Sequence, residues 1–358
     1  MTSVIFFIVT LLLAFAFTLI IRRLAIRFKV LDYPNNDRKR HAGAMPLLGG
    51  GAIFLAFWVM MYIGQSRILA GNLEAHHWLG VLIGGLILMI GGLIDDIKKL
   101  PPLAQVIFPL LAAIAVIMGG VGIEKISALS GGLVYLNTWT IPLLHWGNKT
   151  FYFSVIADLF TILWLLGMTY TTKLLDGVDG LVTSITATGA LIIFLFTTTT
   201  RWHQPDIAFA ALLLLAACLG FLIMNWHPAK IFLGEGGSLF LGFMLGVLSI
   251  ISGGKIAIAL LIMGIPILDV AWTILRRLLQ GHNPFKFADR QHLHFRLQDA
   301  GLGPRLTVLL FCASSLIFGL SGLFLQSRGK LVGLIVMAVI MAAILGLFTW
   351  LDRRRVIR

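Results

Sequence analysis

The sequence has few charged residues and very few cysteines. Only 12% of its 358 positions are Asp, Glu, Lys or Arg, about half the share that soluble globular domains carry. Hydrophobic residues make up 59%, and the mean hydropathy is +0.96, so lipid is the solvent for most of the chain. The two cysteines, Cys218 and Cys312, both lie in apolar runs. We therefore predict that they pack as small apolar side chains and form no disulfide.

Long apolar runs are what the sequence has instead. A helix that crosses the hydrocarbon core of a membrane needs about 20 apolar residues. We predict an all-α polytopic membrane protein with about eleven transmembrane helices, forming one domain over residues 1–358. The first run lacks a charged leading segment and a small-residue cleavage site, so it is predicted to be retained. The runs lie near residues 4–21, 47–64, 78–94, 103–120, 154–171, 181–199, 207–224, 237–252, 256–275, 306–326 and 331–350.

Acidic residues are scarce as well, with 15 Asp and Glu against 28 Lys and Arg. If the loop after the first run is cytoplasmic, all but seven of the basic residues lie on that side. The positive-inside rule then predicts an inner (cytoplasmic) membrane protein with an outer N-terminus and a cytoplasmic C-terminus. Its long loops would be 276–305 inside and 121–153 outside. The charge suits lipid headgroups and phosphates, and no motif indicates a nucleic-acid partner.

Paired carboxylates follow two of the apolar runs on the predicted cytoplasmic side. Asp95 and Asp96 are adjacent, and keeping both ionised favours a nearby cation, either Mg²⁺ or a lysine. Asp176 and Asp179 stand three residues apart in LLDGVDGL, and this spacing aims both carboxylates one way if the segment is helical. The glycines beside them permit close approach to a ligand. An EF-hand is excluded because its ligand series and closing Glu are missing.

A glycine-rich turn occurs in the segment from Asn225 to Ser238, where a proline ends one apolar run and Glu235 precedes the next. Such a turn at a helix N-terminus presents free N–H groups, so we predict an anion-binding turn. Phe232 beside it is suited to stacking on a base or to anchoring at the membrane edge.

Two basic loops complete the set. The loop 276–305 contains Arg290, His292 and His294, and the loop 32–51 contains an RKRH cluster. Arginine binds phosphate bidentately, and histidine can donate a hydrogen bond or transfer a proton. Lipid-headgroup binding is the alternative for such loops. The H-x-H pair resembles half of a zinc site, but no further Cys or His follows at ligand spacing.

These five elements, in this order over residues 32–302, resemble the polyprenyl-phosphate N-acetylhexosamine-1-phosphate transferases of glycosyltransferase family 4, which include WecA, TagO and the peptidoglycan enzyme MraY. The resemblance implies Mg²⁺, with Mn²⁺ as an alternative, and a cytoplasmic active-site cleft. It also implies transfer of a sugar 1-phosphate from a UDP-sugar to undecaprenyl phosphate, which releases UMP and initiates a cell-envelope glycan. N-acetylglucosamine is the favoured sugar. The sequence does not determine the oligomeric state, and a homodimer stays open.

The resemblance also assigns roles to individual residues. Asp95 and Asp96 match the paired aspartates, one of which is a suspected base or positions the lipid phosphate. Glu235 stands where the family has an Asp that holds Mg²⁺. The predicted catalytic set is Asp95, Asp96, Lys99, Lys173, His292 and His294, and the predicted substrate-binding set is Asp176, Asp179, Phe232 (on uracil), Arg38, Lys39, His41, Asn225 and Arg290.

The chain departs from the family pattern at several positions. Glu235 is one methylene longer than the usual Asp, and Lys173 replaces an Asn that is a metal ligand in some members. The histidine motif reads H-L-H-F. Lys99 resembles the peptidoglycan branch, whereas the P-N-x-R-K-x-H loop resembles the WecA and TagO branch.

Three alternatives therefore remain at this stage. The first is an MraY-like phospho-N-acetylmuramoyl-pentapeptide transferase. The second is an ion-coupled transporter, whose site would lie at the membrane midplane on broken helices of an inverted repeat. The third is a non-catalytic lipid-binding relative.

Overall fold

The computed structural model describes residues 2–34, 43–128, 132–146, 149–199, 203–253, 256–281 and 291–356. Helices dominate these ranges. They are α1 (Thr2–Arg27), α2 (Gly50–Ile63), α3 (Gln65–Ile68), α4 (Ala75–Lys98), α5 (Pro102–Met118), α6 (Val155–Leu175), α7 (Leu181–Thr198), α8 (Pro205–Asn225), α9 (Glu235–Ile251), α10 (Ile256–Leu279), α11 (Leu293–Asp299), α12 (Pro304–Phe324) and α13 (Ser327–Val356).

The apolar helices confirm the prediction of an all-α polytopic membrane protein. Eight are long and apolar enough to cross a membrane, and α2, α5 and α9 are shorter apolar helices. Each coincides with one of the eleven predicted runs, and the ends agree to within six residues. How many of them span the membrane stays a prediction.

Three small antiparallel hairpins were not predicted. They pair β1 (Leu31–Asp32) with β2 (Met45–Pro46), β3 (Lys125–Ser127) with β4 (Leu133–Tyr135), and β5 (Thr140–Trp146) with β6 (Lys149–Ser154). The last two pairs lie in the predicted outer loop 121–153. The predicted inner loop 276–305 likewise contains the end of α10 and all of α11. Short amphipathic elements of this kind escape a search for long apolar runs.

Helices α8 and α9 form the centre of the bundle, and nearly all of their residues are buried. The outer helices α1 and α13 instead expose large apolar side chains along their length, as expected for helices that face lipid. The N-terminus of α9 is thus enclosed by neighbouring helices, and it lies at the same end of the bundle as the C-terminal ends of α4, α6 and α8.

Glycines allow α9 to approach its neighbours closely. A Cβ atom at Gly92 of α4 would clash with the backbone N and Cα of Gly236, and a Cβ at Gly50 of α2 would clash with the Cα of Gly237. Small residues at helix crossings bring backbones together in this way in membrane proteins. These contacts fix the first turn of α9 against α2 and α4.

Candidate active site

The adjacent carboxylates at the end of α4 are buried and face different partners. Asp95 accepts hydrogen bonds through Oδ1 from the Leu100 N–H at 2.8 Å and from Gln105 Nε2 at 3.2 Å. Its Oδ2 lies 3.2 Å from the Lys173 ammonium. Asp96, in contrast, faces the N-terminus of α9. The two carboxylates are therefore separated by their partners, and a lysine is the cation beside Asp95.

Lys173, near the C-terminal end of α6, connects the helices around it. Its Nζ lies 2.9 Å from Glu235 Oε2, 3.2 Å from Asp95 Oδ2 and 2.9 Å from Gln105 Oε1. An ammonium group has three protons to donate, so these acceptors, from α9, α4 and α5, can use all of them. The two residues that depart from the family pattern, Lys173 and Glu235, are thus in direct contact.

The turn at the start of α9, predicted to bind an anion, directs one N–H to a carboxylate of the chain itself, and binding of a substrate anion there stays a prediction. The Glu235 N–H points to the Asp96 carboxylate, whose oxygens lie 3.2 and 3.3 Å away. A carboxylate at this position is favoured by the helix dipole. The glycines of the turn allow close packing, because Gly236 and Gly237 pack against α4 and α2. Asp96 thus binds the Glu235 N–H, one of the groups that the sequence suggested for a ligand.

Asp176 and Asp179 were predicted to point one way if their segment is helical, and the structure shows that it is not helical. Helix α6 ends at Leu175, and the segment that follows is a turn closed by Gly180 at φ +73°. Asp179 Oδ2 lies 2.7 Å from His227 Nδ1 and accepts a hydrogen bond from the Ala229 N–H at 3.1 Å. Asp179 therefore holds the loop after α8, whereas Asp176 is exposed to solvent.

Asp176 lies in a strongly negative environment. Withdrawal from bulk water among the surrounding protein atoms, followed by repulsion from Glu235, Asp96 and Asp179, raises the pKa of its carboxyl well above the usual range. Its side chain nevertheless reaches solvent. A cation or a cation-bearing substrate would relieve this repulsion.

The histidine motif contacts the turn that carries Asp176. His292 Nδ1 lies 2.9 Å from Asp269 Oδ2, and the Leu293 N–H donates to Asp269 Oδ1 at 2.8 Å. The ring of His294 is parallel to that of His292, with centroids 5.6 Å apart. A Cβ at Gly177 would lie 2.8 Å from His294 Nε2. Glycine at this position therefore allows the turn after α6 to contact α11.

Asn225 and Phe232 have different surroundings. The Asn225 amide is buried, with Oδ1 accepting from Thr183 Oγ1 at 3.2 Å and Nδ2 donating to the Ile231 carbonyl at 3.0 Å. Its amide therefore joins α7 to the loop after α8, and its direct contact with substrate stays a prediction. Phe232 is half-buried, and its N–H donates to the Pro46 carbonyl at 2.8 Å. Its stacking on a base stays a prediction.

Lys99 ends α4 in a left-handed conformation (φ 52°), and its side chain is exposed at the same end of the bundle. Its catalytic role is still a prediction. Four predicted substrate-binding residues lie outside the described residues, so their positions relative to this site are not stated: Arg38, Lys39, His41 and Arg290.

Two residues of the site, Gln105 and His227, were missed by the sequence reasoning, whereas Asp269 was predicted to lie on the same cytoplasmic face but without its partner His292. Gln105 was detectable, because it is the only polar side chain in the sequence of α5. His227 and Asp269 act as partners of predicted residues, Asp179 and His292. Their pairing crosses long stretches of chain, and no local spacing indicates it.

The Mg²⁺ that the resemblance implies requires oxygen ligands. Within the described parts of the chain, no three His, Cys, Asp or Glu side chains converge as a metal-binding group. The Asp95 and Asp179 carboxylates accept hydrogen bonds from backbone N–H groups, whereas Glu235 contacts the Lys173 ammonium through Oε2. Mg²⁺ commonly uses only one or two carboxylates together with substrate phosphates. The carboxylates of Asp176 and Glu235 fit that mode of binding, in which the ion needs oxygens from a substrate.

Together, the fold and the site define a polytopic membrane protein with a cluster of carboxylates, a lysine and histidines at one end of its helix bundle. The family model described as glycosyl transferase family 4 matches residues 78–253. The probable undecaprenyl-phosphate N-acetylglucosaminyl 1-phosphate transferase of Bacillus subtilis is 32% identical over 330 residues, which cover 90% of this chain and 85% of that protein. The chain therefore belongs to glycosyl transferase family 4, the family of polyprenyl-phosphate N-acetylhexosamine-1-phosphate transferases.

Other relatives carry similar names. The decaprenyl-phosphate N-acetylglucosaminephosphotransferase of Mycolicibacterium smegmatis is 29% identical over 360 residues, covering 93% of this chain and 85% of that protein. The undecaprenyl-phosphate alpha-N-acetylglucosaminyl 1-phosphate transferase of Yersinia pestis is 25% identical over 323 residues, covering 87% and 81%. All three names specify a polyprenyl phosphate and N-acetylglucosamine.

Proposed function

We propose that this protein transfers N-acetylglucosamine 1-phosphate from UDP-N-acetylglucosamine to undecaprenyl phosphate, releasing UMP. The observation that carries the proposal is the Lys173 ammonium, which joins Asp95 to Glu235 beside the exposed Asp176. Such a site offers positive charge to a pyrophosphate, and it offers carboxylates to a metal ion bound to that pyrophosphate. The names of the relatives support the choice of sugar and lipid.

The reaction is an in-line displacement at phosphorus. An oxygen of the lipid phosphate forms a bond to the phosphorus that bears the sugar, and the bond from that phosphorus to the UMP oxygen breaks. Enzymes of phosphoryl transfer act mainly through positioning and charge neutralisation. Mg²⁺, with Mn²⁺ as the alternative, would bind Asp176 and Glu235 and neutralise phosphate charge. Lys173 supplies fixed positive charge from the protein, and Asp95 holds it in place.

The proposal also includes the membrane in which the protein lies and the side on which each terminus lies. The distribution of Lys and Arg supports an inner-membrane protein with an outer N-terminus and a cytoplasmic C-terminus. The cleft would then open to the cytoplasm, where UDP-sugars are made. The homodimer that the sequence left open has no support from the comparisons and is not proposed.

The activity can be tested with purified protein in detergent, undecaprenyl phosphate and Mg²⁺. We expect UMP and a lipid-linked pyrophosphoryl sugar, both measured by mass spectrometry, with UDP-N-acetylglucosamine as donor. Chelation of the metal should stop the release. Turnover of UDP-N-acetylmuramoyl-pentapeptide alone would favour the MraY-like alternative. Absence of UMP from every UDP-N-acetylhexosamine would contradict the proposal and leave the transporter and the non-catalytic relative.

Sealed vesicles extend this assay to the orientation. Inverted inner-membrane vesicles should release UMP from added UDP-sugar, because the cleft faces the medium. Right-side-out vesicles should release it only after they are made permeable. The opposite pattern would contradict the proposed orientation without affecting the proposed reaction.

Asp269 is expected to act through His292. Asp269→Asn should lower turnover about tenfold to a hundredfold, the usual cost of losing an outer-shell partner, because the neutral amide no longer holds the His292 ring through a carboxylate. His292→Gln and the double variant should fall to a similar level. Fully additive losses would show that the two side chains act independently.

A further inference from the structure

The Lys173 ammonium occupies an unusual position for a charged group. It is only 13% exposed, and two carboxylates from separate helices contact it, one of them the 8% exposed Asp95. The other, Glu235, is 34% exposed and borders the cleft. One lysine thus bridges a buried carboxylate and a carboxylate that a ligand can reach. Breaking such a buried pair leaves an uncompensated charge.

Gln105 fixes the position of this ammonium. Its Nε2 donates to Asp95 Oδ1 at 3.2 Å and to the Leu100 carbonyl at 2.9 Å. Both amide protons are thereby used, so Oε1 faces Lys173 Nζ at 2.9 Å. Because Asp95 also accepts from the Leu100 N–H, the start of α5 and the end of α4 form a rigid support. Gln105 is therefore a positioning residue for Lys173.

The charges around Lys173 determine how a divalent cation can bind. Opposite unit charges a few ångströms apart attract each other strongly at the effective dielectric constant near a protein surface. The Lys173 ammonium, at 2.9 Å from Glu235, therefore competes with any metal ion for the same carboxylate.

We propose that Lys173 is a resident cation of the active site, which takes over part of the charge neutralisation that a divalent ion would supply. It also weakens metal binding to the substrate-free protein. Metal then binds tightly only together with the pyrophosphate of the donor. This inference deepens the proposed function, but its central claim concerns the free protein and can be tested without turnover.

If Lys173 is a resident cation, the two departures from the family pattern, Lys173 and Glu235, form one coordinated change. A lysine in place of the family's Asn brings a charge, and the longer Glu235 reaches it at 2.9 Å. Restoring both family residues, through Lys173→Asn combined with Glu235→Asp, should restore tight metal binding to the free protein.

Binding of Mn²⁺ to the substrate-free protein, followed by electron paramagnetic resonance, tests the proposal. Lys173→Asn should lower the Mn²⁺ dissociation constant at least about tenfold relative to the wild type, because it removes the competing charge. Lys173→Arg, which keeps the charge, should stay within about threefold of the wild type. The matched control is Lys98→Asn, which removes the same charge from an exposed position at the C-terminal end of α4, two residues beyond the buried Asp96, and should change the constant less than about twofold.

Gln105→Leu provides a second test. A residue with only a structural role would change Mn²⁺ affinity equally with and without Lys173. With Lys173 present, the variant should tighten Mn²⁺ binding, though less than Lys173→Asn does. In a Lys173→Asn background it should have no further effect, since it acts only through the lysine. Equal effects in both backgrounds would contradict the positioning role.

Unchanged Mn²⁺ affinity in Lys173→Asn would overturn the proposal. If that variant does not fold, the double variant Lys173→Asn/Glu235→Asp decides, and affinity equal to that of the wild type would overturn it in the same way. Tightened binding in a protein that releases no UMP would contradict the proposed function alone. The two proposals can therefore fail separately.

Discussion

Asp95→Asn should lower the rate of UMP release at least about a hundredfold, the usual cost of removing one electrostatic group from an active site. Asparagine has the size of aspartate and can still accept a hydrogen bond from the Leu100 N–H. If its oxygen faces Leu100, however, its amide group faces the Lys173 ammonium, where Asp95 Oδ2 now lies at 3.2 Å. Two donors would then meet, and the lysine would move away from the position that the reaction requires.

The measurement is the turnover number of the folded variant in detergent, with thermal unfolding recorded beside it. Asp158→Asn is the matched control. Asp158 is also a buried carboxylate that accepts a backbone hydrogen bond, from the Ser154 N–H at 2.7 Å, but it lies at the opposite end of α6 from Lys173. Turnover in Asp158→Asn should stay within about threefold of the wild type. Equal losses in both variants would indicate a general effect on stability.

Much of the fold could be predicted because lipid imposes one simple requirement. A backbone in hydrocarbon must satisfy its own hydrogen bonds, so each long apolar run becomes a helix. All eleven runs appear as helices in the described structure. The hairpins near residues 125–154 were missed because water, side chains and strand partners compete there for the backbone hydrogen-bonding groups. No single sequence pattern determines which partner they take.

The candidate site was predictable in its members but not in its pairings. Asp95, Lys173 and Glu235 were named from the sequence, and the structure brings them into contact. That contact joins three helices distant in sequence, and spacing within one helix carries no information about it. The same limit explains why His227 was missed and why the pairing of Asp269 with His292 was not predicted.

The glycines of the turn before α9 have a packing role that the sequence did not reveal. The turn before α9 was predicted to bind an anion because free N–H groups and glycines occur together at helix N-termini. The structure shows that Asp96 takes the Glu235 N–H and that the glycines contact other backbones. Sequence alone does not distinguish a glycine that admits a ligand from one that admits a helix.

Gly92→Ala tests this second use and should have the largest effect on stability. A Cβ at Gly92 would clash with the backbone of Gly236, and a backbone in the first turn of α9 cannot rotate away as a side chain can. Overpacking of this kind costs about 1–3 kcal/mol, although alanine itself favours a helix by about 1 kcal/mol. Separation of α4 from α9 would also pull Asp96 from the Glu235 N–H, so activity should fall as well.

Gly167→Ala provides the matched control, because Gly167 is also a helical glycine but nothing lies within 4 Å of a Cβ built there. We expect this variant to unfold at the same temperature as the wild type or slightly above it, because only the helix preference of alanine remains. Gly92→Ala should unfold at a clearly lower temperature in the same detergent. If the two variants unfold alike, α4 and α9 do not meet as closely as this structure has them, and the position of Glu235 beside Lys173 loses its support.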